Sequence, residues 1–549
     1  MSQDAGRPKA RVRSKTSGTW GGRKAQAPTA APGNQSDAKS ERKRAKPARK
    51  SEQAGKSAPR AAKPGQSDAK PGQSDAKPGK RAAKPGNRAK PGKRAGAARD
   101  AKPRNKKSAD GRPHRPPAPS GKPRRSRGKG GFAGIDEEVL EELAKQVAPP
   151  PLERRPLSHV GGEVELWGAE ALGPALQAAL QVSSDESVVR AHVHGFHSYP
   201  ARLHPVTARE LVRRLTAPKG RVLDPFCGSG TVAVECRLAG RSMGGSDANP
   251  FAIELAKLKT AGKLPGLGML AAQVAEQADE RREAKAGPTK RYGQVDRELF
   301  DVHVLLELDG LKSSIEKLPR SPERQALMLV LTSLLTKVSR SPGDTRKQTM
   351  QRRLASGFTI RSFVAKAEEL ERRLADFEAL LPKQAPRAHL EVCDARALDY
   401  VKPSSVNLVL TSPPYPGVYD YVKHHETRMR WLGLDVEGFS RSEIGAQRRL
   451  AGQDFARAAG RWDKELLPCL KAMKRALAPK GHIILVIADT VLGGRAWLAD
   501  RALKDLSPRA GLELIAVASQ ARPLFLPSAR AAFQGKPRRE HLLVLAHKS

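Results

Sequence analysis

From residue 190 onward the chain alternates two hydrophobic patterns. Short apolar, β-branched runs occupy 221–224, 242–247, 389–394, 406–411, 482–489, 512–519 and 540–546. Stretches with apolar residues every three or four positions fill 231–239, 250–261, 463–478 and 496–506. Near-continuous apolar runs separated by amphipathic helices predict strands of a parallel sheet, because each parallel crossover needs a covering helix. Seven strands are expected, the last two joined by a loop rather than a helix. A further helix, 205–215, precedes the first strand.

The alternation breaks once. Between 262 and 386 the periodicity is helical and no strand is convincing; 298–317, 322–338 and 359–381 are the clearest pieces. In the last, Phe363, Ala367, Leu370, Leu374, Phe377 and Leu381 recur at three-and-four spacing, one face of a helix. An inserted helical subdomain is the reading, with possible target recognition as its role. Upstream, 135–182 reads as mostly helical, with pieces at 135–147 and 169–182 flanking three prolines at 149–151. The expected organisation is a tail (1–130), a helical linker region (131–189), a first α/β part (190–261), the helical insertion (262–386) and a second α/β part (387–549).

The tail changes the picture of the charge. It holds 38 basic and 8 acidic side chains, so it carries +30 of the chain's +43 and leaves +13 on the rest. Lys-Pro-Gly recurs at Lys63, Lys70, Lys77, Lys84 and Lys90, and Pro-Gly suits neither helix nor strand. With little apolar surface to bury, ordering it would cost backbone entropy with little return, so it is read as disordered. A polyanionic partner follows, since Lys and Arg displace the counterions condensed on a phosphate backbone; a solubilising extension is the rival reading. Four scattered cysteines without zinc-ligand spacing fit a reducing interior. No signal-peptide core or run of 18 apolar residues is present, so a cytoplasmic protein without a membrane span is expected.

Two strand ends carry the chemistry. The first is Asp224-Pro225-Phe226-Cys227-Gly228-Ser229-Gly230-Thr231, a strand, a Gly loop and a helix start. Its glycines permit backbone angles and close approach that a Cβ would block, and its amides face a ligand. About 20 residues on, Asp247 ends the second strand, where a carboxylate can hold two ribose hydroxyls. Asn249-Pro250 then suits a helix cap and first position. The second strand end is Thr411-Ser412-Pro413-Pro414-Tyr415.

Asp-Pro-Phe-x-Gly-x-Gly-Thr followed by Ser-Pro-Pro-Tyr resembles the S-adenosylmethionine-dependent amino-methyltransferases of DNA, the cytosine-N4 and adenine-N6 methylases. The resemblance covers about 190–260 and 387–549. It implies a seven-stranded Rossmann-like methyltransferase sheet whose last strand inserts antiparallel, with S-adenosylmethionine as cofactor. It implies that Asp394-Ala395, ending the third strand, meets the adenine ring. It also implies that the segment with His197 and Tyr199 packs beside the Gly loop and reaches the methionine end. His192, His194, His197 and His204 show no firm ligand pattern, and no metal is expected.

An exocyclic base amine is a weak nucleophile because its lone pair is delocalised into the ring. Acceptors aimed at its N–H groups favour the tetrahedral nitrogen of the transition state, and the Ser412 side chain with the Pro413 carbonyl supplies such a pair. Pro413 and Pro414 restrict the backbone, and Tyr415 offers a face for an extruded base. Ser in first place resembles the cytosine-N4 branch, whereas Asp or Asn is more typical of adenine-N6. Downstream, Tyr419, Asp420, Tyr421, His424, His425, Arg428 and Trp431 suit either the lip of a base pocket or a half-buried helix. The basic stretch 337–347 suits phosphate contact or a solvated linker. The insertion precedes Asp394 rather than following it, a departure that puts sequence-specific DNA recognition in doubt. The expected partner is nucleic acid, DNA ahead of structured RNA. A different class of function, tethering or compaction of nucleic acid on a degenerate scaffold, competes with the enzyme reading. Oligomeric state and any accompanying restriction nuclease are left open.

Overall fold

The computed structural model describes residues 162–182, 185–341, 353–524 and 527–548. The tail at 1–130, the pieces at 135–147 and 149–151, and 342–347 of the basic stretch lie outside them. Ten strands are described: β1 (Val164–Gly168), β2 (Arg221–Asp224), β3 (Ser242–Asp247), β4 (Ala388–Val392), β5 (Val406–Thr411), β6 (Leu477–Ala488), β7 (Thr490–Leu492), β8 (Arg495–Trp497), β9 (Leu512–Arg522) and β10 (Arg538–His547). Eight form one sheet in the order β1-β9-β10-β6-β5-β2-β3-β4, and β7 and β8 form a separate hairpin. The run from β6 to β4 is parallel. β10 inserts antiparallel between β6 and β9.

All seven expected strands are present, and the sheet has one more. β1 lies in the stretch read as helical and pairs antiparallel with β9 at the edge. It was illegible because only Val164 is buried, while Leu166 and Trp167 are exposed; with no buried face there is no alternation to read. Two further expectations are corrected. The stretch 496–506 begins with the hairpin strand β8 before the helix Ala499–Leu506, and a short helix, Pro527–Phe533, stands in the loop between β9 and β10.

The sheet is buried on both faces, with period two. Val222, Leu408, Leu410, Ile484, Val486, Leu542 and Val544 share a core with the helices Gly173–Leu180, Pro205–Leu215 and Thr231–Leu238. Leu223, Val409, Ile483, Leu485, Ile487, Leu543 and Leu545 pack on the opposite side with the helices Phe455–Ala476 and Ala499–Leu506.

The insertion contains the helices Leu267–Glu283, Val302–Lys317, Pro322–Val338 and Phe358–Ala379. The first of these was not among the clearest pieces of the sequence pattern. Their core is continuous with Phe251, Leu255 and Leu258 of the helix Pro250–Lys259, and with Met429 and Trp431 of the helix Tyr421–Leu432. Asp296 of the insertion accepts from Trp431 Nε1 at 3.1 Å and from Arg430 Nη2 at 2.7 Å. Buried Glu307 accepts from the Gly357 and Thr359 amides at 2.5 and 3.0 Å, which satisfies orphan donors at the start of the last helix. The insertion is thus bolted to the segment that follows the Ser412 motif. Among the described residues no helix is long and apolar enough to cross a membrane.

Candidate active site

Strand β2 lies between β3 and β5, so the loops that leave the carboxyl ends of β2 and β5 start side by side. Thr411 Oγ1, at the end of β5, donates to Asp224 Oδ1, at the end of β2, at 2.6 Å, and both residues are buried. Asp224 Oδ1 also accepts from the Phe226 amide at 3.2 Å, which turns the chain out of the strand. The Gly loop is then pinned to β3. Cys227 N donates to Ser246 O and Gly228 N to Asp247 Oδ2, each at 2.9 Å. Gly228 and Gly230 both have positive φ, +49° and +86°. A Cβ on Gly230 would come within 2.9 Å of the Ala256 Cβ, so the loop lies directly on the helix Pro250–Lys259. From that helix, buried Lys259 donates to Ser229 Oγ at 3.1 Å, and burial holds its amine well below the ordinary lysine range.

The second loop is braced from the other face. Buried Trp462 donates through Nε1 to the Pro414 carbonyl at 3.0 Å. Gly417 N donates to Gly445 O at 3.0 Å, and Gly445 N to Glu465 Oε2 at 2.9 Å. Glu443 accepts from Tyr421 N at 2.6 Å and pairs with Arg448, which also meets Asp420; this ties down the start of the helix Tyr421–Leu432.

Two adjoining cavities meet at these loops. The first is a cleft partly open to solvent. It is lined by Tyr199, Asp224, Pro225, Phe226, Gly228, Ser229, Thr231, Asp247, Asp394 and Ala395, and by Ser412 and Pro414 from the other loop. The second is wider and holds Tyr415, Tyr419, Arg522, Arg538 and Glu540. Tyr199, Arg202, Thr231, Ser412 and Tyr421 line both. Ser412 therefore stands at the junction.

Four expected site residues do not line either cavity. His197 is buried with its ring against Phe251 and its Nε2 3.5 Å from Thr332 Oγ1 of the insertion. Asn249 is the helix cap, accepting from Phe251 N at 3.0 Å, with its amide reaching Tyr199 Oη at 3.4 Å. Gly230 packs on Ala256, and Pro413 is buried. Tyr199 stacks on His425 with ring centroids 4.6 Å apart. The downstream aromatic-basic stretch divides: Tyr419 and Tyr421 face the cavities, while His425, Arg428 and Trp431 are buried on the insertion side. Glu443, Arg522, Arg538 and Glu540 were missed. Only the register of β9 on β10 brings Arg522 near Glu540, and no local motif signals it. Elsewhere His192, His194 and Glu235 cluster, with the Glu235 oxygens already held by His194 and Arg209.

The acids of the first cavity are shaped by burial. Asp224 is pushed up to about 7, burial outweighing the hydrogen bonds from Thr411 and Phe226, with the Asp247 charge adding to the rise. Asp247 is pushed up to about 6 by burial against the pull of the Asn249 and Gly228 amides. Asp394 is held in a bidentate pair by Arg396, whose Nε lies 2.8 and 3.0 Å from the two carboxylate oxygens.

A parallel sheet with one inserted antiparallel strand, and a Gly loop beside a Ser-Pro-Pro-Tyr turn at neighbouring strand ends, define a methyltransferase-type α/β domain. A family model described as DNA methylase matches residues 168–258, the span that contains the Tyr199 segment, the Gly loop and Asp247. The chain is 35% identical over 68 residues to the Type II methyltransferase M.MjaII of Methanocaldococcus jannaschii, covering 12% of this chain and 13% of that protein. The chain thus spans only a small part of the curated relative it matches. Among solved structures it is similar to a TehB-like SAM-dependent methyltransferase from Corynebacterium glutamicum (12% identity, 62% of this chain and 87% of that one, TM-score 0.23). It is also similar to the rRNA methyltransferase AviRa from Streptomyces viridochromogenes (15% identity, 67% and 94%, TM-score 0.27).

Proposed function

We propose that this chain methylates an exocyclic base amine in DNA, using S-adenosylmethionine, with cytosine N4 as the target. The observation that carries the reading is the Thr411–Asp224 hydrogen bond, which sets the two loops edge to edge with Ser412 shared by both cavities. The first cavity suits the cofactor in its donor and acceptor chemistry. Asp247 keeps lone pairs for the ribose hydroxyls beside the two amides it already accepts, since a carboxylate has about four acceptor sites. Asp394 is the acceptor for the adenine amino group, with Phe226 and Ala395 giving apolar contact. When bound, the cofactor supplies an electrophilic methyl group on a sulfonium.

The chain's own residues then hold the amine. The Ser412 side chain and the Pro413 carbonyl accept its two N–H groups, which favours the nitrogen as it becomes tetrahedral. Trp462, by holding the Pro414 carbonyl, restricts the loop before substrate arrives. Tyr415, Tyr419 and Tyr421 give the second cavity the flat apolar walls an extruded base needs. Cytosine is preferred on the resemblance of Ser412 to the cytosine-N4 branch, and DNA on the family match.

The test is methyl transfer from labelled S-adenosylmethionine to DNA and to structured RNA, followed by nucleoside digestion and mass spectrometry. N4-methylcytosine from DNA is expected. N6-methyladenine as the main product overturns the base assignment, label in RNA alone overturns the polymer, and no label in either overturns the reading. Replacing Ser412, Pro413, Pro414 and Tyr415 together by alanine is expected to abolish transfer and spare cofactor binding.

A further inference from the structure

The second cavity lies between the turn that leaves β5 and the start of β10. Because β10 is antiparallel to β6, it begins at the end of the sheet where β5 finishes. It stands two strands from β5, about 10 Å at the usual strand spacing. The two walls touch where Tyr415 Oη donates to Glu540 Oε1 at 3.4 Å.

Period two sets Arg538 and Glu540 on one face of β10, and the register lays Arg522 of β9 opposite Arg538. The two arginines are not equivalent. Arg522 is buried and fully occupied: Nε and Nη2 donate to Glu540 Oε2 at 2.9 and 2.7 Å, and Nη1 to Gln520. Arg538 is half-buried, and its Nε donates to the Asp489 carbonyl at 2.7 Å. Among the described residues no carboxylate pairs with it and no acceptor takes either of its Nη groups. Arg538 is thus a planar donor fork, anchored through one nitrogen, in the cavity that also holds Ser412.

Such a fork calls for two neighbouring acceptors on a planar partner. When a base is extruded its phosphates stay with the strand outside, so the acceptors that reach this wall belong to the base. Cytosine carries its amine, N3 and O2 in a row along one edge. Adenine carries its amine and N1, and then a C–H. We infer that Arg538 is the residue that selects cytosine: with the amine at Ser412, its two Nη groups donate to N3 and O2 of the extruded base. Against adenine the same fork meets N1 and a C–H, and one N–H is left unpaired beneath the base, a mismatch that binding tolerates poorly. The inference rests on the proposed methyl transfer. It gives the choice of cytosine a basis separate from the resemblance carried by Ser412.

The experiment measures single-turnover methyl transfer by the full chain, wild type, Arg538→Met and Arg538→Lys, on two DNAs of one sequence. One is amplified with dCTP and the other with 2-thio-dCTP, which replaces the O2 of every cytosine by sulfur, a weak acceptor. The thio substitution leaves the protein untouched, so a folding defect cannot imitate its effect. Wild type is expected to be about tenfold slower on the thio DNA, the loss of one charge-assisted hydrogen bond. On ordinary DNA, Arg538→Met is expected to be about ten- to a hundredfold slower than wild type, and its rates on the two DNAs should agree within about twofold. Arg538→Lys, with one compact donor head, should fall between. Cofactor affinity should stay at the wild-type value, because Arg538 lines only the second cavity. An Arg538→Met rate within about twofold of wild type on ordinary DNA, or a wild type indifferent to the thio substitution, would overturn the inference and leave the transferase reading intact. Equal losses in Arg538→Met on both DNAs, with a shallower salt dependence of DNA binding, would make Arg538 a phosphate contact and also overturn it. N6-methyladenine as the wild-type product, or no transfer at all, would overturn the proposed function and the inference together.

Discussion

The contact between the Gly loop and the helix Pro250–Lys259 can be broken with one methyl group. Gly230 sits at φ +86° and ψ 30°, left-handed backbone that an L residue adopts at a cost of about 1–2 kcal/mol. Its added Cβ would meet the Ala256 Cβ at 2.9 Å and the Ala256 Cα at 3.0 Å. Ala256 is fully buried, so neither side can yield freely, and overpacking of this kind costs about 1–3 kcal/mol. Gly230→Ala is therefore expected to destabilise the fold by about 2–5 kcal/mol. The loop must also lift off the helix, which is expected to weaken cofactor binding at least tenfold, about 1.4 kcal/mol. Urea unfolding and calorimetric titration with S-adenosylmethionine read the two effects. Ala256→Gly removes one of the clashing atoms; alone it should cost about 1–2 kcal/mol as a helix-interior glycine that also loses a buried methyl. Combined with Gly230→Ala it should recover about 1–2 kcal/mol relative to additivity, leaving the backbone strain as the remainder. A Gly230→Ala protein within about 0.5 kcal/mol of wild type, the range of an ordinary surface change, with unchanged affinity would refute the reasoning.

Three other outcomes follow from the same geometry. Asp247, pushed up to about 6 by burial, must be ionised to accept two ribose hydroxyls, so cofactor affinity should fall by up to about tenfold per pH unit below 6. Asp247→Asn should flatten that slope in titrations from pH 5 to 8, and a pH-independent wild type would contradict the assigned role. Asp224, pushed up to about 7, binds its proton more tightly folded than unfolded. Its contribution to stability is present near pH 4 and lost as pH rises through 7, so wild type should lose melting temperature relative to Asp224→Asn over that window. The reverse trend would show that the buried group is held charged. Glu307→Ala strips the acceptor from two buried amides at about 1–3 kcal/mol each, and hydrogen exchange over 353–379 should accelerate; unchanged protection there would mean the cap contributes nothing.

What was legible in the sequence was what repeats locally. Buried strands announce themselves as apolar runs, and Asp224 to Thr231 carries its own turn chemistry in its glycines. The helix Pro205–Leu215 was read to the residue, because Pro205 starts it and its apolar face is periodic. What failed depends on partners far along the chain. β1 has one buried residue and pairs with a strand some 350 positions away. His197 was placed near the cofactor by the resemblance of its segment alone; its ring nitrogen lies near Thr332 of the insertion, while the Tyr199 ring lies against Gly228. Glu540 has an unremarkable neighbourhood in sequence, and only the pairing of β10 with β9 brings it to Arg522 and within 3.4 Å of Tyr415 Oη.

The sheet topology explains why Asp224 and Thr411, 187 residues apart, still meet. After β2 the chain moves outward through β3 to β4, then crosses back to lay β5 on the opposite side of β2. The reversal opens a crevice at the carboxyl ends of β2 and β5, the place where open α/β sheets bind ligands. The insertion leaves the chain between β3 and β4, on the outward limb, so its length does not alter the pairing of β2 with β5. It is nevertheless not an independent appendage. Its core takes in Phe251 from the helix under the Gly loop and Trp431 from the helix after the Ser412 motif. One body of packed side chains therefore touches the supports of both loops from behind. Deleting the insertion would expose those apolar residues and leave Arg430 and Trp431 without Asp296. The insertion therefore packs against the supports of both halves of the site.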